Sequence, residues 1–369
     1  TILPLSMWRT PLVARSLQHR EPLLPRPDLL IRRYQHGHCG SESNKMSCPL
    51  SLKTNLHRLA RHLDCSVRTH VRTVRLCSDK RESQERSVSK KACSDSGKGR
   101  PLPRFWIYEA QGDRPRMEDT HVAQLSFHKD KHVFGVFDGH AGDCAAKLLS
   151  TEIVGILRDQ IMQRSGPQDS ALGASLTSSF LEAEKRALAQ PWDDGSSAIL
   201  AVIDGDRLFV ANAGDCRAII CGEGEPMPMS TDHDPTVPEE RKRIEANNKR
   251  IESYEINGRS INRIRSLAMS RCIGDKSLKQ YHDYDTDTWI PIDDCIIPDP
   301  EIKELLLTKQ HKYLVIASDG LWATVTNEAV ARRLDTLTEE EDPAEELQKL
   351  IDRREDNITI VVVDLRVHA

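Results

Sequence analysis

The alternation of apolar and polar positions divides the chain near residue 104. Before it no period is sustained. Arg, Ser, Leu and His dominate with scattered Pro. Leu56–Leu63 supports one short amphipathic turn pair, and Ser83–Arg104, with few apolar residues, reads as a linker. After it the pattern becomes regular. Phe105–Ala110, Thr120–Phe127 and His132–Phe137 alternate and carry aromatic and β-branched residues, which predicts strands. Ser197–Ile203 and Arg207–Asn212 flank Asp204-Gly205, a hairpin-turn pair. Tyr313–Ala317 and Asn357–Leu365 are apolar enough for strands buried on both faces. Leu172, Leu176, Phe180, Ala183 and Ala187 keep helical spacing. Thr236 and Glu239 form a capping-box pattern, with Pro238 in the first turn, ahead of a helix over Arg241–Ala246. Hairpins mixed with helices predict an α+β domain with antiparallel sheets over residues 105–369. A basic, largely disordered extension over 1–104 precedes it.

Composition narrows the class. A chain of 369 residues with 38% hydrophobic and 29% charged residues suits a globular protein with a large core. The longest apolar runs, such as Ile360–Val363, are too short to span a bilayer. The net charge of −4 conceals two kinds of chain: residues 1–104 hold 21 Lys+Arg against 8 Asp+Glu, and residues 105–369 hold 31 against 48. The acidic part is unsuited to nucleic acid, whose phosphates require cations, and suited to holding metal ions. Ten cysteines without a C-x-x-C pair read as reduced thiols in an intracellular compartment, cytoplasmic or nuclear. The Arg-bearing, acid-free stretch from Met7 also suits a mitochondrial presequence, against the plainer reading of a basic tail. His36, His38, Cys39 and Cys48 lack a second well-spaced pair of zinc ligands.

Aspartates at strand ends carry the chemistry. Asp138 ends HVFGVF and precedes Gly139-His140, Asp215 follows LFVANAG, Asp319 ends YLVIAS, Asp356 opens NITIVVV, and Glu118-Asp119 precedes THVAQLSF. Each alone is what a turn requires. Converging on one rim, they would repel one another unless a divalent cation removed the penalty, and all-oxygen ligation selects Mg²⁺ or Mn²⁺ over zinc. Arg114, four residues before Glu118, offers a fork for two phosphate oxygens, and His140 offers a proton for a leaving alkoxide. Metal-assisted hydrolysis of a phosphate ester uses all these parts.

From about Phe105 to Val367 the chain resembles the metal-dependent protein serine/threonine phosphatases of the type 2C family. The matching motifs run in family order: Arg114-Pro-Arg-Met-Glu-Asp119, Asp138-Gly-His-Ala-Gly142, Gly195-Ser-Ser-Ala198, Asn212-Ala-Gly-Asp-Cys-Arg217, Asp232-His-Asp-Pro235, Leu267-Ala-Met-Ser-Arg-Cys-Ile-Gly-Asp275, Ala317-Ser-Asp-Gly-Leu-Trp322 and Asp356-Asn-Ile-Thr359. The resemblance implies two packed antiparallel sheets flanked by helix pairs, a four-layer αββα sandwich, with a metal centre at one end. It implies Asp138 bridging two Mg²⁺ or Mn²⁺ ions, with the Gly139 carbonyl, Asp319 and Asp356 as further ligands. Glu118 and Asp119 act through water, and Asp215 with Asp319 binds a weaker third ion. Arg114 is the implied phosphate-binding group, and His140 the general acid. Residues of roughly 235–266 correspond to a flap that shapes the choice of phosphoprotein substrate, and the implied enzyme is a signalling hydrolase acting as a monomer.

Four positions depart from the family pattern: Ala141, Cys216, Ala323 and the Ala246-Asn-Asn-Lys-Arg250 turn, where Asn tolerates the left-handed conformation that a usual Gly would supply. Gly274-Asp275 and Asn212 read as turn and packing residues, His233 as a turn residue beside Pro235, and Trp322 as core behind the Asp319 turn. The rival from another class is a non-catalytic scaffold of the same fold. Retention of Arg114, Asp138, Asp319 and Asp356 favours catalysis over it.

Overall fold

The computed structural model describes residues 86–90, 102–164, 171–256 and 259–368. The Leu56–Leu63 stretch, the Arg-bearing stretch from Met7 and the His36/His38/Cys39/Cys48 group lie outside the described residues. In chain order the elements begin with β1 (Arg86–Lys90), β2 (Phe105–Ala110), β3 (Thr120–His128) and β4 (Lys131–His140). Two long helices, α1 (Cys144–Gln163) and α2 (Ala171–Leu188), lead to β5 (Gly195–Asp204), β6 (Arg207–Ala213), β7 (Arg217–Gly222) and β8 (Met227–Pro228). A middle section holds α3 (Pro238–Ala246), β9 (Glu252–Ile256), β10 (Arg259–Arg263), β11 (Ile273–Gly274), α4 (Lys276–Lys279), β12 (Gln280–Asp283) and β13 (Thr288–Pro291). The chain closes with β14 (Glu301–Leu306), β15 (His311–Ala317), α5 (Asp319–Trp322), α6 (Asn327–Asp335), α7 (Pro343–Gln348) and β16 (Ile358–Asp364).

Two large antiparallel sheets form, the first in the order β14-β6-β5-β4-β3 and the second in the order β1-β2-β16-β15-β7-β8, beside the two-stranded pairs β9–β10 and β12–β13. Their side chains sort by parity, because successive residues of a strand point to opposite faces. Phe134, Val136, Ile199 and Ala201 of one sheet meet Ile107, Ile220, Leu314, Ile316 and Val361 of the other in a central layer. The opposite parity of the first sheet, Val133, Phe137, Leu200 and Val202, packs on Leu149, Ile153 and Leu157 of α1 and Leu176 and Phe180 of α2. The outer parity of the second, Val315, Ile360 and Val362, packs on Leu321, Val330, Leu334 and Leu347 of α5, α6 and α7. The result is the expected α+β sandwich of four layers, helices outside and sheets inside. A separate apolar cluster, including Ile244, Ile264, Met269, Cys272 and Ile296, holds the section around α3 together.

Two local expectations change. The strand β1 lies within the stretch read as a linker and pairs with β2, Val88 opposite Ile107. The described residues accordingly fall in one unit, Ser78–Ala369. The capping box at Thr236 is not used: α3 starts one residue later, with Val237 as N-cap and Pro238 at its first turn. Thr236 instead bonds back to Asp234 through its amide at 2.7 Å. Asn248 does adopt the left-handed conformation, at φ +56°. Among the described residues no helix is long and apolar enough to cross a membrane.

Candidate active site

Asp138 leaves β4 opposite Ser197 of β5. Its carboxyl is pushed well above the ordinary range, first by burial and then by the charges of Asp119, Asp319, Asp215 and Asp356. The same crowding acts on its neighbours. Burial raises Asp119 to about 7, against the opposing effect of the Ser318 hydroxyl, which donates to it at 2.7 Å. Burial and the charge of Asp319 raise Asp215 to about 7. Burial and the charge of Asp356 raise Asp319 to about 6. Carboxyls from five separate segments therefore share one electrostatic environment.

Arg114 faces this group. Its Nε stands 3.4 Å from Asp356 Oδ1 and its Nη2 3.3 Å from Glu118 Oε2. Burial works against the cation, but the charges of Asp356, Glu118 and Asp138 outweigh it and hold the guanidinium above its ordinary value. Asn357 fixes the loop that presents both residues: its Oδ1 accepts from the Glu118 amide at 2.7 Å, and its Nδ2 donates to the carbonyls of Gln111 and Arg116. Gly139 sits where a Cβ would press on the carbonyls of Glu118 and Gly142. At this position of β4, opposite Ser196, the strand passes the Glu118 loop only without a side chain.

The donor set fits hard divalent cations. Asp119 Oδ1 and Asp215 Oδ1 are buried without a hydrogen-bond partner. Such oxygens are costly unless something positive satisfies them. Oxygen-only ligands suit Mg²⁺ or Mn²⁺.

Beside the carboxylates lies a second cluster. His140 is opposite Gly195 in the β4–β5 ladder, and Gly274 of β11 is opposite the same Gly195 on its other side. This register carries Asp275, the next residue, to within 2.8 Å of His140 Nε2. A Cβ on Gly195 would collide with both groups, so the glycine makes room for the pair. Asp275 adopts φ +53° and is buried. The Cys272 thiol also donates to its Oδ2, at 3.0 Å. Burial disfavours the His140 cation, but the Asp275 bond and charge prevail and raise its pKa. Since Nε2–H donates to Asp275, the other nitrogen, Nδ1, is the one left without a partner.

The family model for protein phosphatase 2C matches residues 105–357. The chain belongs to the protein phosphatase 2C family. The phosphatase 2C domain is 36% identical over 262 residues to Probable protein phosphatase 2C 45 of Oryza sativa subsp. japonica, covering 68% of this chain and 84% of that one. It is 34% identical over 284 residues to a "Protein kinase and PP2C-like domain-containing protein" of the same organism, covering 73% of this chain but only 41% of that longer protein. Among solved structures, the serine-threonine phosphatase 2C of Toxoplasma gondii shares the fold, with a TM-score of 0.61 at 20% identity over 76% of this chain and 99% of that one.

The phosphatase 2C domain thus brings together Asp119, Asp138, Asp215, Asp319 and Asp356, sets Glu118 against Arg114, and places His140 at the edge of the group. Sequence reasoning missed Asp275, Ser318 and Asn357. Asp275 read as a turn residue because a Gly-Asp pair commonly makes one, and only the β11 register reveals its partner. His233, read as a turn residue, is buried, and its Nδ1 lies 3.1 Å from both the amide and the carbonyl of Gly214, bracing the strand end that carries Asp215. Trp322 fills the outer core as expected, its Nε1 donating to the Ala317 carbonyl at 3.1 Å.

Proposed function

We propose that this domain hydrolyses phosphoserine and phosphothreonine esters in proteins. The observation that carries the reading is the convergence of four aspartates on a fifth, Asp138, beside the Arg114 guanidinium. Asp138, the Gly139 carbonyl, Asp319 and Asp356 would hold two Mg²⁺ or Mn²⁺ ions, Glu118 and Asp119 through water, and Asp215 with Asp319 a weaker third. When bound, these ions neutralise the carboxylates and supply a water acidic enough to attack phosphorus near neutral pH. Arg114 binds and orients the phosphoryl oxygens, and its contacts with Asp356 and Glu118 aim it. Asp275 holds the His140 ring and favours its cation, so the proton for the departing serine or threonine oxygen sits on Nδ1.

The test is activity on phosphoserine and phosphothreonine peptides with and without Mn²⁺, beside Asp138→Ala. Cleavage that needs Mn²⁺ and vanishes in the variant supports the reading. Undiminished cleavage in EDTA, or by Asp138→Ala, overturns it.

A further inference from the structure

His140 Nε2, Cys272 Sγ and Asp275 Oδ2 all lie within 4.8 Å of one another, and no other trio of His, Cys, Asp or Glu donors among the described residues is so grouped. The donors differ in kind from the carboxylate centre. An imidazole, a thiol and one carboxylate are the ligands a borderline-soft ion takes, whereas Mg²⁺ and Mn²⁺ take oxygens. The existing contacts to Asp275 are 2.8 Å from His140 and 3.0 Å from Cys272. Ligand atoms around a tetrahedral zinc stand about 3.3–3.7 Å apart, so the two separations from Asp275 Oδ2 have to open by well under an ångström, while His140 Nε2 and Cys272 Sγ already lie within 4.8 Å of each other.

The surroundings hold the donors in place. Lys279 Nζ donates to the Cys272 carbonyl at 2.8 Å and to Glu184 Oε1 at 2.7 Å, and Glu184 Oε2 accepts from the Gly274 amide at 2.8 Å. This buried pair ties the turn that bears Cys272 and Asp275 to α2. Access runs through His140, whose side chain keeps 20% exposure and lies within the field of Asp215. A divalent ion with one thiolate and one carboxylate is charge-neutral, which limits the cost of burying it.

We propose that His140, Cys272 and Asp275 form a second cation site that takes Zn²⁺, and that its occupation stops catalysis. Coordination uses the lone pairs of Nε2, Sγ and Oδ2, with water as a fourth ligand. The thiol proton and the Nε2 proton leave to solvent. Zinc at Nε2 thereby replaces the 2.8 Å hydrogen bond from His140 to Asp275 that positions the ring. The inhibitory half rests on the phosphatase reading; the site itself does not.

The experiment uses the full chain saturated with Mg²⁺ and Co²⁺ as the probe, since a thiolate gives bound Co²⁺ a strong near-ultraviolet charge-transfer band. The expected result is a one-equivalent band that Zn²⁺ displaces and that Cys272→Ala lacks, with Cys272→Ser as the alternative should the smaller side chain unsettle the fold. The Zn²⁺ concentration that halves activity rises about 10- to 100-fold in either variant, the scale on which losing a ligand's partners weakens a metal site. The Zn²⁺ response of each variant is read relative to its own Mg²⁺-supported rate. An identical band in Cys272→Ala, no band at all, or equal Zn²⁺ sensitivity in chain and variant overturns the proposal. If the unmodified chain lacks phosphatase activity, the functional reading falls and the inhibitory half with it, while the band still decides the site.

Discussion

His140 and Asp275 meet at 2.8 Å across 135 positions of chain because both flank Gly195, one from β4 and one from the end of β11. A histidine that donates through Nε2 to a buried carboxylate is held in one orientation, and under the proposed function its Nδ1 is the nitrogen that carries the proton to the leaving group. Asp275 is in this sense a positioning residue. Asp275→Asn keeps the shape and removes the charge. It is expected to lower kcat on phosphopeptides by about 10- to 100-fold, no more than the low end of the roughly 100- to 10,000-fold that a general acid contributes, because the ring itself remains. With p-nitrophenyl phosphate, whose leaving group needs little protonation, the loss shrinks, and Mn²⁺ affinity by calorimetry stays the same. Equal losses on both substrates refute a role through His140.

Arg114 touches Glu118 and Asp356 but is not an oxygen donor, so it is separable from metal binding. Arg114→Ala is expected to raise KM for a phosphopeptide by about tenfold or more, the loss of a charge-assisted, two-pronged contact. Mn²⁺ titration of the variant should overlay that of the unmodified chain.

Removal of metal reads the carboxylates as a group. Mn²⁺ at about a hundred times its Kd stabilises a protein that binds it only when folded by about 2.7 kcal/mol, a rise in Tm of several degrees. EDTA is expected to abolish both the rise and the activity, and Asp319→Asn to blunt both together. A Tm indifferent to Mn²⁺ argues against an intact centre.

His233 sets a pH dependence of stability. Burial, helped by the charge of Arg271, lowers its pKa to about 4. The unfolded chain, with an ordinary histidine value near 6.5, then binds a proton that the native state refuses. Stability therefore falls as pH drops from about 6.5 toward 4, by at most about 3 kcal/mol, and is indifferent to this group above that window. Urea unfolding with Mg²⁺ present, so that the active-site aspartates stay ionised, is expected to show a shallower decline in His233→Gln. Identical slopes would show that His233 does not govern it.

Truncation tests the boundary. A chain starting near Pro101 keeps every residue of the site but loses β1, which pairs along β2 from Arg86 to Lys90. It is expected to fold and to cleave a small phosphopeptide at the full rate, with a lower Tm than a chain starting at Ser78. Failure of the Pro101 chain to fold would make β1 part of the domain's foundation.

Strands with strict alternation were legible because their two faces serve different cores: Phe134 and Val136 face one layer, Val133 and Phe137 the other. The site aspartates were legible because an acid after an apolar strand stands out. Less so was α1, whose N-cap Asp143 makes no side-chain cap bond. Its first amides are instead satisfied from a distance, by the carboxylate of Asp194 at 2.8 Å and 3.1 Å. The short β11, two residues long, has no periodicity to read, yet it is what delivers Asp275. Partners fixed by register between distant strands leave no local trace in sequence.

The contacts that define the site span much of the domain: Asp119 with Ser318 over 199 positions, Glu118 with Asn357 over 239. Closing such long loops comes late in folding, after the local hairpins have formed. A chain emerging during synthesis therefore has its strand β4 and Asp138 long before it has Asp319 or Asp356. Under the proposed function, incomplete copies would be silent, and the order of assembly itself would keep a phosphate-removing activity from being released before the protein is whole.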